Sequence, residues 1–321
     1  MRIRIKDPYS RRGETPVYKC SPWLGPRLAV PPALVALLLS LPVSVCLGLP
    51  SPGHSDHVEE QSTAKTEVPF ELSNHNLIIV KATIGAIKNV NMILDTGTTP
   101  TAINQGMADR LNLRGKVGLL QTLNGTIQVQ SVVLPCIQIG QLHADSITGV
   151  VQDLTFLEKS LGISLGGIAG LDLLRSSSFA IDYRRRKIIF GPVAASEKAV
   201  HFETQIPYLS VKAKIAGQEI RLLVDSGTGG LLVYRNRLRT ASEQLHVDPN
   251  ASISNAAGGG THLRWLSTEV SLEKRNLGAR NVVIADVDSN PQDDFDGLIG
   301  LATMGFRKVS FDFENGLFSW E

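Results

Sequence analysis

The stretch Met92-Ile93-Leu94-Asp95-Thr96-Gly97-Thr98 returns later in the chain as Leu222-Leu223-Val224-Asp225-Ser226-Gly227-Thr228. Asp95 and Asp225 lie 130 residues apart, and the same interval separates Gly170 from Gly300 and Asp182 from Asp312. Three anchors at one offset mark a duplicated unit with one acidic group in each copy. Around the later anchors, Ile168-Ala169-Gly170-Leu171 matches Leu298-Ile299-Gly300-Leu301, and Ile181-Asp182-Tyr183 matches Phe311-Asp312-Phe313. Upstream, Val80-Lys81-Ala82 and Val211-Lys212-Ala213 stand 131 residues apart, so one residue has been gained or lost between Gly85 and Asn91.

Working outward, each copy reads as β-structure. The runs Leu77 to Ile84 and Asn91 to Leu94 are short and β-branched, and they deliver Asp95 at a strand end. Thr101 to Leu113 carries Ala102, Ile103, Met107, Ala108 and Leu111 at helical spacing. Gln121 to Ile139 alternates around Asn124-Gly125, a hairpin-turn pair. Asp182 to Phe190 is a second hairpin, whose counterpart turns at Asn315-Gly316. In the later copy, Ile206 to Ile215 and Glu219 to Val224 lead to Asp225, and Arg237 to Leu245 is expected to be a short helix. Its tip, Gly258-Gly259-Gly260, falls where Asn124-Gly125 falls in the first copy. The expected fold is all-β with short helices: two pseudo-twofold lobes, 68–195 and 196–321, with the active site between them.

Before the lobes come a basic leader (1–27), an apolar run (28–49) broken by Pro31, Pro32 and Pro42, and a polar tether (50–67). A basic flank followed by an apolar segment reads as an export signal or signal anchor, and the prolines argue against a buried core helix. This predicts export to, or anchorage facing, the periplasmic or extracellular side, with residues 28–49 as the route of membrane association. The net charge of +2 owes much to the leader, and the remainder shows no basic stripe for nucleic acid. Of three cysteines, Cys20 and Cys46 lie in the leader and apolar run, so no disulfide is available within the lobes. Cys136 follows Pro135 in an apolar strand and reads as an inert buried residue without a basic neighbour.

Two acid-bearing loops brought together explain a chemistry. Aspartates within hydrogen-bond distance do not both ionise cheaply, so the pair keeps one proton over a wide pH range. The ionised member then takes a proton from water while the protonated member donates to a carbonyl oxygen. Gly97 and Gly227 are expected to turn the backbone beside the carboxylates and donate their amides. Thr98 and Thr228 offer hydroxyls to the outer carboxylate oxygens, and Thr96 and Ser226 can bond across to the opposite loop.

The pattern hydrophobic-hydrophobic-Asp-Thr/Ser-Gly-Thr, followed in each half by hydrophobic-hydrophobic-Gly, resembles the aspartic protease superfamily over nearly all of residues 68–321. The resemblance implies that Asp95 and Asp225 are the catalytic pair and that two acid-protease lobes enclose the cleft. It also implies that Asn124, Gly125, Thr126 and Gly258, Gly259, Gly260 belong to flaps. The short lobes, the missing flap tyrosine and the absence of disulfides make it closer to a retroviral-type protease fused into one chain than to a pepsin.

Other polar groups read as structural. Asp182 and Asp312 suit turns, Asp172 a helix cap, and Asp286, Asp288, Asp293, Asp294 and Asp296 a solvated loop. His143, His201, His246 and His262 lack metal-ligand spacing, His54, Asp56, His57, Glu59 and Glu60 belong to the tether, and Arg184-Arg185-Arg186-Lys187 reads as a solvated turn. The resulting expectation is a monomeric aspartic endopeptidase that takes an extended peptide or protein substrate and requires no cofactor or metal. Its alternative is a non-catalytic peptide- or partner-binding protein on the same scaffold.

Overall fold

A computed structural model describes residues 65–122, 125–194, 196–203, 208–239, 246–254, 260–285 and 294–321, with Leu37–Leu38. The basic leader and nearly all of the apolar run and tether lie outside the described residues. The tether ends earlier than its sequence suggests, because the strand Thr66–Ser73 already includes Thr66 and Glu67. Among the described residues no helix is long and apolar enough to cross a membrane.

The described chain is mostly β, as expected. Each acidic residue follows a strand that is buried on both faces, which is why an unbroken apolar run precedes it. The strand Ile87–Leu94 points Met92 and Leu94 into a large shared core and Ile93 into a second cluster with Ala102 and Ile168. The strand Gln218–Asp225 repeats this, with Leu222 and Val224 in the shared core and Leu223 clustered with Leu232 and Leu298. Ile93, Ala102 and Ile168 correspond to Leu223, Leu232 and Leu298 at the offset of 130.

The later anchor of each copy runs beside the acid-bearing strand. Gly167–Ala169 pairs parallel with Ile87–Leu94, and Gly297–Gly300 pairs parallel with Gln218–Asp225. Crossed over them are Ala102–Asn104 and Leu231–Tyr234, each antiparallel to the anchor strand. Ala102 and Ile103 are therefore strand residues, contrary to the helical reading of 101–113. Pairing with Val150 and Val151 on one side and Gly167 and Ile168 on the other outweighs local spacing, and the helix is only Gln105–Arg110. In the second copy the described end of the expected 237–245 helix is a turn closed by Arg237 N–H to Tyr234 O at 3.0 Å, and residues 240–245 lie outside the described set.

The one-residue difference between the copies is a β-bulge. Ala82 pairs with Val90 and Ile84 with Ile87, so Thr83 alone faces Lys88 and Asn89. Asn89 takes the left-handed backbone that such a bulge needs (φ 59). The matching hairpin, Ser210–Ile215 with Gln218–Asp225, pairs without a shift.

Two long hairpins form in the segments that the resemblance reads as flaps. Gly115–Thr122 pairs with Gly125–Val133, closing at Thr122 and Gly125. His246–Ser254 pairs with Gly260–Leu272, closing at Ser254 and Gly260. Asn124, Gly258 and Gly259 lie outside the described residues.

A mixed-origin sheet ties the halves together in the order Thr66–Ser73, Lys187–Phe190, Phe179–Asp182, Lys308–Asp312, Leu317–Trp320 and Ala199–His201. At its centre Ala180 pairs with Ser310, residues that correspond at the offset of 130, so the pseudo-twofold axis passes through this pair. Phe190, Phe179, Phe311 and Phe318 stand opposite one another on successive strands, with Phe179 and Phe311 stacked at 4.7 Å. Phe179 is fully buried, so Phe179→Ala is expected to cost about 3–5 kcal/mol of stability, read as a lowered urea midpoint.

Candidate active site

Asp95 and Asp225 end their strands in the interior, at 2% and 0% exposure. Their loops are locked by reciprocal hydrogen bonds. Thr96 N–H donates to Ser226 Oγ and Ser226 N–H to Thr96 Oγ1, each at 3.0 Å. Thr96 Oγ1 then donates to Val224 O at 2.8 Å, and Ser226 Oγ to Leu94 O at 3.1 Å. Both hydroxyls thus act as donor and acceptor, and each loop completes its hydrogen bonding only through the other.

Within each loop the backbone cradles its own carboxylate. Gly97 N–H donates to Asp95 Oδ1 at 2.9 Å, and Gly227 N–H to Asp225 Oδ1 at 2.7 Å. The glycines are required by proximity rather than by an unusual backbone angle. A Cβ on Gly97 would lie 2.5 Å from Asp225 Cγ, and one on Gly227 2.6 Å from Asp95 Oδ2. Each glycine therefore passes directly under the opposite carboxyl. The second glycine anchor has the same logic, since a Cβ on Gly170 would lie 2.7 Å from Thr98 O and one on Gly300 2.2 Å from Thr228 O.

The two carboxyls are neighbours, each lying over the other loop's glycine, yet their environments differ. Both oxygens of Asp95 receive donors, Oδ1 from Gly97 N–H and Oδ2 from Thr98 Oγ1 at 2.8 Å. Asp225 Oδ1 receives Gly227 N–H and Thr228 N–H, and the Thr228 hydroxyl also bonds this carboxyl, whereas Oδ2 is buried without a hydrogen-bond partner. Burial pushes both carboxyls up; Asp225 is driven well above the ordinary carboxylate range, first by burial and then by the neighbouring Asp95 charge.

Asn76 is a site residue that the repeat pattern passed over. Fully buried, it donates Nδ2–H to Gly227 O at 2.7 Å, while its Oδ1 is buried without a partner. The matching position in the second copy, 131 residues on, is Pro207, which has no side-chain donor. That break in the repeat was the available signal. Asp172 is not the helix cap expected of it: Gly170 holds the N-cap position, without a side-chain cap bond, and Asp172 lies in the first turn. It accepts from Thr101 N–H and, at 2.8 Å, from Thr101 Oγ1, pinning the segment after the Asp95 loop.

Elsewhere the acids are structural. Asp182 Oδ1 accepts Arg185 N–H, and Asp312 Oδ1 accepts the amides of Glu314 and Asn315, so both brace hairpin turns. In the basic run, Arg185 and Lys187 pair with Glu67 on the neighbouring strand. Asp296 accepts Arg221 N–H at 2.7 Å and pairs with Arg237 rather than being merely solvated, while residues 286–293 lie outside the described set. The side chains of Thr126 and His262 lie there too.

Two sequence readings are overturned together. Cys136 is half-buried rather than buried, and it does have a basic neighbour: its Sγ lies 3.4 Å from His143 Nδ1. His143 is not isolated either, because its Nε2 meets Asp145 Oδ2 at 2.7 Å. Antiparallel pairing of Ile137–Ile139 with Leu142–Ala144 sets Cys136 across from Asp145, a proximity that linear spacing conceals. Burial and the Asp145 carboxylate push the thiol up, which disfavours a nucleophilic thiolate.

Residues 80–173 match a family model described as Aspartyl protease, a span that contains the Asp95 loop and Gly170 but ends before the second copy. No curated protein matches the chain.

The grip gives a direct stability test. Thr96→Val removes the donor to Val224 O and the acceptor for Ser226 N–H, and is expected to cost about 2–4 kcal/mol by urea denaturation. Thr96→Ser, which keeps the hydroxyl, is expected to lose much less.

Proposed function

We propose that the chain is an aspartic endopeptidase whose Asp95/Asp225 dyad activates water against a peptide bond, a reading supported by the match of residues 80–173 to the aspartyl protease model and by the repeat of its acid-bearing loop at Asp225. The observation that carries this reading is the unequal pair of facing buried carboxyls. Asp95, with donors on both oxygens, is the member suited to the negative charge. Asp225 carries the shared proton on Oδ2, the oxygen with no other donor. In the reaction, the Asp95 carboxylate removes a proton from the attacking water as Asp225 donates to the carbonyl oxygen. Charge then shifts from one carboxyl to the other within the dyad, while the Thr96/Ser226 bonds hold the two loops together.

An extended peptide crosses between the two lobes, 68–195 and 196–321, beneath the hairpins that end at Gly125 and Gly260. One chain provides both acids, so the working unit is a monomer. The leader and apolar run are taken to deliver the lobes to the exported side or anchor them there.

The dyad carries its own pH dependence. Asp225 is raised in the folded state, so the native protein holds a proton that the unfolded chain releases. No penalty exists below the ordinary carboxylate pKa; stability falls as pH rises from there through the folded value, and the penalty persists above it. Activity follows the singly protonated pair and falls once that proton leaves.

Asp225→Asn should therefore reduce cleavage of a peptide library by about 10²–10⁴-fold or more while raising the urea midpoint near neutral pH. The stability gain should shrink as the pH approaches the ordinary carboxylate range. Asp95→Asn should lose cleavage to a similar degree. Wild-type cleavage at no pH, or full cleavage by either purified variant, would overturn the mechanism.

A further inference from the structure

The hairpin Ile137–Ile139 with Leu142–Ala144 presents two different faces. Ile137, Ile139 and Leu142 are buried in the shared core, while Cys136, Gln138, His143 and Asp145 alternate onto the outer side. The hairpin is fixed in place by pairing of Ile137 and Gln138 with Ile84 and Thr83, and Gly85 N–H donates to Cys136 O at 2.7 Å. The outer side chains therefore project from an anchored backbone rather than from a free loop.

One sulfur, one nitrogen and one oxygen ligand converge there, all within 4.8 Å of one another. His143 Nε2 lies 2.7 Å from Asp145 Oδ2 and 3.9 Å from Cys136 Sγ, separations that one ion spans with metal–sulfur and metal–nitrogen bonds of about 2.3 and 2.0 Å. An ion shared with Asp145 is therefore held by Nε2, with the imidazole proton on Nδ1, and Asp145 Oδ2 exchanges its contact with Nε2 for one with the ion. A thiolate, an imidazole and a carboxylate form a borderline-soft set that suits zinc. His143 and Asp145 are half or more exposed, so an ion can enter from solvent.

We propose that Cys136, His143 and Asp145 form a zinc-binding site remote from the aspartate pair. On binding, the Cys136 thiol gives its proton to solvent as the zinc–sulfur bond forms, the imidazole binds through its lone pair, and the carboxylate offsets the ion's remaining charge. Water fills the open fourth position. Because the ion bridges a hairpin already packed on the core, its role is to clamp the edge of the first lobe, and binding stabilises the folded state by mass action.

The test uses the full chain with Cys20→Ser and Cys46→Ser, so that Cys136 is its single thiol. Zinc is expected to bind one ion per chain and raise the thermal midpoint, and cobalt(II) to give a thiolate-to-metal charge-transfer band. Cys136→Ser should abolish the band, and each of Cys136→Ser, His143→Ala and Asp145→Asn should weaken zinc binding by about 10- to 100-fold. The exposed His143 provides a variant that keeps the fold if Cys136→Ser does not, with circular dichroism as the check. Absence of both band and thermal shift in the parent, or unchanged zinc affinity in folded His143→Ala, would overturn the site.

Discussion

The reciprocal bond between Thr96 and Ser226 is the constraint on which the rest depends. Each hydroxyl accepts the opposite loop's amide and donates to the carbonyl preceding the opposite aspartate. All four groups are interior, so separating the loops would strand amides and carbonyls where water does not reach them. Two mutually repelling acids can be kept adjacent because the surrounding backbone has no cheaper arrangement. The absence of side chains on Gly97 and Gly227 follows from the same packing, since each runs beneath the other loop's carboxyl.

That local grip needs a larger frame to hold it in register. The run of six strands from Thr66–Ser73 to Ala199–His201, part of a larger sheet, supplies one by pairing the C-terminal hairpin of each copy about the Ala180/Ser310 axis. Phenylalanines from both copies form one ladder across this sheet, and the shared core draws on both acid-bearing strands. The halves therefore do not close over separate interiors alone. Their common core and common sheet fix the same axis on which the aspartates meet.

On this symmetrical frame the second layer of contacts is unsymmetrical. Asn76 reaches the Gly227 carbonyl, and its repeat partner is a proline. Asp172 holds Thr101, whereas the matching positions are Ala302 and Leu231. The bulge at Asn89 exists in the first copy alone of the two matching hairpins. Duplication supplied two like carboxyls, and these unlike contacts surround them with unequal donors. Such inequality suits a pair whose members must differ in protonation.

By itself, the sequence determined the duplicated plan, the β class, the acid-bearing loops and the family resemblance, because apolar strand runs, invariant spacing and tight-glycine motifs are local properties that a repeat displays twice. It also placed the difference in length correctly, since an offset change is visible without coordinates. Tertiary structure decided what local spacing does not encode. Ala102 and Ile103 became a central strand because sheet neighbours on both sides outweighed their helical spacing. Asn76 and Gly227 lie 151 residues apart in the chain, and their meeting comes from the packing of one half on the other. Cys136, His143 and Asp145 converge because antiparallel register places a residue opposite one nine positions away and turns alternate side chains to the same face. Linear order carries periodicity, whereas proximity across strands and halves exists only once the chain has closed on itself.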